Sequence, residues 1–80
     1  MWLSYKDGAW GEGALTADSN VVINECAGIL QYCQECFEGL KAYTTEDGSI
    51  VTFRPDLNAE RMMDSARRLE MPPFPKERFL

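Results

Sequence analysis

Ala59, Met62, Ala66 and Leu69 recur at spacings of three and four, which at 100° per residue lines them up as one apolar stripe. The pattern predicts a helix from residue 56 or 57 to residue 69. Asn58, Arg61, Ser65 and Arg68 fall along one flank of that stripe, so Arg61 is placed at the border between core and solvent. Upstream, residues 40–44 and 49–54 read as two extended runs joined by Thr45-Glu46-Asp47-Gly48, the second alternating Ile50 and Thr52 with Val51 and Phe53. This is the clearest hairpin in the chain. Arg54-Pro55 should close it, because the residue before proline is driven to extended geometry and proline has no N–H for a ladder. Met71-Pro72-Pro73-Phe74-Pro75 then stops the helix, and residues 76–80 read as the beginning of another.

The first half is less regular. Asp7-Gly8 is a tight-turn pair between aromatic-flanked segments and predicts a small hairpin. Gly11 and Gly13 loosen the next segment, residues 16–20 read as loop, and Val21-Val22-Ile23 offers a short β-branched strand. Across residues 27–37, Ile29, Leu30, Cys33 and Phe37 keep helical spacing. Together the elements predict an α+β fold, a short antiparallel sheet with two helices packed on it.

Composition narrows the function. The chain has 80 residues, room for one domain at most and a thin stability margin. A net charge of −5, with the eight Lys and Arg scattered, argues against a nucleic-acid partner, since phosphate backbones are bound by basic patches. No apolar run approaches the roughly 20 residues that span a bilayer, and residues 1–7 lack the layout of a signal peptide. The expected setting is cytoplasmic. Three cysteines, Cys26, Cys33 and Cys36, make an odd count unsuited to a disulfide framework. Cys33 and Cys36 have C-x-x-C spacing, but with no histidine in the chain a four-ligand metal site would need all three thiols plus a carboxylate or a second chain. Small, half-buried cysteines are the simpler reading, with no metal.

The segment Cys36-Phe37-Glu38-Gly39-Leu40-Lys41-Ala42-Tyr43, continued by Phe53-Arg54-Pro55 and by Asn58-Ala59-Glu60-Arg61-Met62, resembles the branched-chain amino acid aminotransferases. These are class IV enzymes that depend on pyridoxal 5'-phosphate (PLP). The resemblance runs from about Tyr5 to Leu80. Members of that family are several times longer, so it implies the N-terminal part of such an enzyme, from its small domain. The catalytic lysine and the carboxylate facing the pyridine nitrogen would then lie elsewhere, and these residues alone would be inactive. The implied parent is a cytoplasmic homodimer that moves an amino group between leucine, isoleucine or valine and 2-oxoglutarate.

By the same resemblance, Arg61 matches the family's phosphate-binding arginine, a role suited to a planar guanidinium that donates two parallel hydrogen bonds. Phe37 and Gly39 match substrate-pocket positions. Tyr32 matches a tyrosine that reaches the neighbouring subunit's pocket. The family's usual leucine-histidine-tyrosine-glycine-glutamine reads here Leu30-Gln31-Tyr32-Cys33-Gln34, so the tyrosine is kept and the histidine and glycine are not.

Each residue also has a plainer reading. Arg61 could pair with Glu60 or Asp64 on the helix surface, Phe37 could be core, Gly39 could open a strand, and Tyr32 could be half-buried on an amphipathic helix. Glu38 reads as structural and receives no catalytic role. Lys41 reads as a solvated or ion-paired side chain and not as the catalytic lysine. A different class of function is a non-catalytic module, either dimerising or using the Cys33 and Cys36 thiols. No residue of the chain is assigned to catalysis itself.

Overall fold

The computed structural model describes residues 2–31 and 33–80, and the chain divides into two compact units, Met1–Cys33 and Gln34–Leu80. In the first, strands β1 (Tyr5–Lys6) and β2 (Ala9–Trp10) pair antiparallel with Tyr5 opposite Trp10 and Lys6 opposite Ala9. Asp7 and Gly8 between them both take positive φ, 52° and 81°, the backbone that a two-residue type I′ turn requires. The Tyr5 and Trp10 rings meet edge-on at 5.3 Å, a cross-strand contact that steadies so short a ribbon. The Gly11 N–H donates to the Ser4 carbonyl at 2.8 Å, and Trp2 bridges to Ala14. The predicted hairpin is present.

Two other expectations in this unit fail. Val21-Val22-Ile23 is not a strand, and all three side chains are exposed. β-branched residues favour a strand only where a neighbouring strand offers a ladder and a face to pack on. Here the preceding polar run bonds to itself instead. Asp18 N–H donates to Thr16 Oγ1 at 3.0 Å, and Asn20 donates to Asp18 Oδ1 from both its backbone and its side chain, at 2.9 and 2.7 Å. The helix predicted over residues 27–37 shrinks to a single 3₁₀ turn, Gly28–Gln31. A short helix owes its stability to burying its apolar face, and Ile29 and Leu30 remain exposed.

The second unit follows the sequence pattern more closely. Strands β3 (Ala42–Thr44) and β4 (Ile50–Thr52) pair antiparallel, with Tyr43 opposite Val51. Both are shorter than the predicted runs, β3 at its start and β4 at both ends. Asp47 organises their turn by accepting hydrogen bonds from the Ser49 N–H at 3.0 Å and from the Thr45 hydroxyl. Helix α1 (Pro55–Arg68) carries proline at its start, where the missing N–H costs nothing. Of the predicted stripe, Ala59 and Ala66 are buried and Met62 is half-buried. Leu69 lies just past the helix and is exposed.

Arg54 departs from expectation. It is left-handed, with φ 46° and ψ 56°, and not extended. Its side chain is clamped on Asp56, with Nε donating to Oδ1 at 3.0 Å and Nη2 to Oδ2 at 2.7 Å, so a paired fork holds a backbone that L residues adopt at a cost. The far end of α1 closes in a Schellman motif. Met71 N–H donates to the Ala66 carbonyl at 2.8 Å and Glu70 N–H to the Arg67 carbonyl at 3.1 Å, with Glu70 at φ 57° where glycine is usual. A short helix α2 (Lys76–Phe79) follows the prolines, as predicted, and the Lys76 ammonium pairs with Glu60 on α1. No helix among the described residues is long and apolar enough to cross a membrane.

Candidate functional site

Asn58 and Arg61 stand three residues apart on α1, so one turn of helix stacks them on the same side. The segment leading into β3 brings Glu38 across to meet both. Arg61 donates from Nε to Glu38 Oε1 at 2.5 Å and from Nη2 to Oε2 at 2.6 Å. Asn58 Nδ2 donates to Glu38 Oε2 and to the Gly39 carbonyl, each at 2.9 Å. The Glu38 side chain is only 6% exposed, whereas that of Arg61 is 68% exposed.

The Arg61 hydrogen bonds hold the Glu38 carboxyl below the usual carboxylate range, with Asn58 adding to the effect and burial opposing it. Arg61 is in turn raised, chiefly by the Glu38 hydrogen bonds. Both groups are therefore charged at neutral pH. A guanidinium carries five N–H donors. Two of them point at Glu38, so three (five less two), on Nη1 and Nη2, form the outer edge. A planar edge of that kind suits an anion with several oxygens.

The alternative partners suggested for Arg61 are taken elsewhere: Glu60 pairs with Lys76, and Asp64 accepts from Arg67 at 3.0 Å. Gly39 joins the cluster through its carbonyl. A Cβ at Gly39 would meet nothing within 4 Å, so the described chain itself gives no steric reason for a glycine there. Phe37 is 89% exposed, which rules out the core reading within the described residues. It lines an open depression with Cys36, Ser65 and Leu69, apart from a second groove of about 520 Å³ formed by Gly39, Leu40, Lys41, Tyr43, Phe53 and Asn58. Arg61 and Gly39 are thus linked through Asn58 and Glu38, and Phe37 faces another depression. Tyr32 lies outside the described residues.

Lys41 is exposed, immediately before β3. Cys26, Cys33 and Cys36 are all free thiols; the first two are exposed and not half-buried as expected, while Cys36 is half-buried with Sγ 3.8 Å from Met62 Sδ. Among the described residues no three His, Cys, Asp or Glu side chains converge as metal ligands. Sequence reasoning placed Asn58 on the Arg61 flank but did not foresee that Glu38 would join them. Its spacing from Arg61, 23 residues, carries no local signal.

No protein-family model matches the chain. Curated relatives do match it, nearly end to end. A branched-chain-amino-acid aminotransferase of Haemophilus influenzae is 57% identical over 76 residues, 95% of this chain and 22% of the relative. One from Mycobacterium tuberculosis is 43% identical over 79 residues, 98% of this chain and 22% of the relative. A methionine aminotransferase of Arabidopsis thaliana is 51% identical over 61 residues, 76% of this chain and 17% of the relative. The sequence is thus of aminotransferase type. It belongs to the branched-chain-amino-acid aminotransferase family, and the chain spans about a fifth of the length of these relatives.

Proposed function

We propose that this chain supplies the phosphate-gripping arginine and part of the substrate wall of a PLP-dependent aminotransferase of class IV, as a portion of its small domain. The reaction of the whole protein is the transfer of an amino group between leucine, isoleucine or valine and 2-oxoglutarate. The observation that carries the reading is the outer edge of Arg61, exposed and charged, with its inner edge fixed on Glu38. Its donor set fits a phosphate. When bound, PLP supplies the electron sink that lets the amino group move.

In this reading Arg61 binds the phosphate, and Phe37 and Gly39 border the substrate. An exposed aromatic ring and a position open to close approach each suit an aliphatic side chain, each buried methylene contributing about 0.8 kcal/mol. Tyr32 serves a neighbouring subunit's pocket, so the working form is a homodimer, and its setting is the cytoplasm. The residues of this chain bind and orient; the lysine that carries the cofactor and the proton transfers belong to the rest of the protein.

The test is to express the protein as its gene encodes it and assay leucine, isoleucine, valine and methionine as amino donors to 2-oxoglutarate. Leucine-sized donors should lead. Arg61→Ala should weaken PLP binding at least tenfold while leaving the fold intact. An Arg61→Ala protein that holds PLP as tightly as the original removes the reading's support.

A further inference from the structure

Glu38 combines three features that a surface ion pair does not need. Its side chain is almost wholly covered, it accepts from both Nε and Nη2 of one guanidinium, and it is itself held by Asn58, whose amide also grips the Gly39 carbonyl. An exposed arginine on a helix samples many rotamers, and binding an anion would have to freeze them. Glu38 has removed that freedom in advance.

We propose that Glu38 is a positioning residue, which fixes the Arg61 guanidinium by its inner edge so that the outer edge is presented to a ligand phosphate. This rests on the reading of Arg61 given above. Two effects of Glu38 oppose each other. Its negative charge lowers the attraction of Arg61 for an anion, whereas its hydrogen bonds hold the donors in place. If charge dominated, removing it would tighten phosphate binding. The geometry points the other way, because the carboxylate faces the inner edge and leaves the outer donors uncommitted.

The experiment uses the intact protein freed of cofactor and labelled with 15N-arginine. The probe is pyridoxine 5'-phosphate, which carries the phosphate but no reactive aldehyde, with inorganic phosphate as a second ligand; binding is measured by calorimetry. The Arg61 Nε–Hε resonance, identified by its loss in Arg61→Lys, should be resolved and protected from exchange before any ligand is added. Glu38→Gln should lose that protection and bind the probe roughly tenfold more weakly, the scale set by immobilising one long side chain. Glu38→Asp should recover part of both.

Probe affinity unchanged or tighter in Glu38→Gln, with Arg61→Ala still weak, overturns the positioning role and leaves the phosphate reading standing. Full affinity in Arg61→Ala overturns the phosphate reading and the proposal with it. Should Glu38→Gln fail to fold, the unmodified protein decides: an Arg61 Nε–Hε exchanging as fast as that of a free arginine overturns the proposal.

Discussion

Leu3 lies against the open side of Gly13, so that a β-carbon there would stand 2.9 Å from Leu3 Cγ and closer still to Cδ2, while Gly13 itself sits at φ 78°. Steric and backbone demands fall on one atom. Gly13→Ala should therefore cost about 1–3 kcal/mol. The readout is thermal unfolding followed by tryptophan fluorescence, since Trp2 and Trp10 belong to the same unit.

Gly39→Ala is the counterpart. With nothing within 4 Å of a β-carbon at Gly39, the substitution should leave thermal stability within about 0.5 kcal/mol of the original. In the intact protein, on the proposed substrate role of Gly39, it should nevertheless raise the Michaelis constant for the amino donor, because the added methyl would narrow the approach. A loss of stability equal to that of Gly13→Ala would assign Gly39 to the fold instead.

Glu70→Gly should stabilise. Glu70 holds a left-handed backbone, φ 57°, at the position after the helix where glycine has no steric penalty. Relief of that penalty is worth roughly 1 kcal/mol, read as a rise of several degrees in the unfolding midpoint.

Acid should loosen the start of α1. The Arg54 hydrogen bonds lower Asp56 from 3.8 to about 2. A carboxyl depressed in the folded state stabilises fully above its ordinary value, and that contribution disappears as pH falls through the folded value. Between pH 4 and pH 2 the unfolding midpoint should drop less in Asp56→Asn than in the original chain. Both side chains are partly exposed, 56% for Arg54 and 34% for Asp56, so solvent screening keeps the difference small.

What could be read from the sequence was local. The spacing of Ala59, Met62 and Ala66 predicted α1, and Asp7-Gly8 and Thr45-Glu46-Asp47-Gly48 predicted two hairpins, because each signal lies within a few residues of its effect. Val21-Val22-Ile23 and residues 27–37 misled for one shared reason. Their apolar character speaks of burial, yet Val21, Val22, Ile23, Ile29, Leu30 and Phe37 are all exposed in the described chain. The motif around Glu38 and Arg61 was legible as a family resemblance. The pairing of those two side chains was not, since it depends on how a loop crosses a helix. Arg54 was misjudged because a rule about proline's neighbour met a side chain able to bond two residues ahead.

The left-handed residue at Arg54 has a wider bearing. Only Phe53 and Arg54 separate β4 from α1, and Pro55 fixes the backbone on the far side. The β3–β4 ribbon therefore meets the helix through a two-residue joint held by the Asp56 carboxylate, with the Asn58 bond to the Gly39 carbonyl as a second tie. Tyr43, which lines the groove, rides on the ribbon, and Asn58 and Arg61 ride on the helix. The Arg54–Asp56 clamp thus works as a set screw for the angle at which ribbon and helix meet, without touching Asn58 or Arg61.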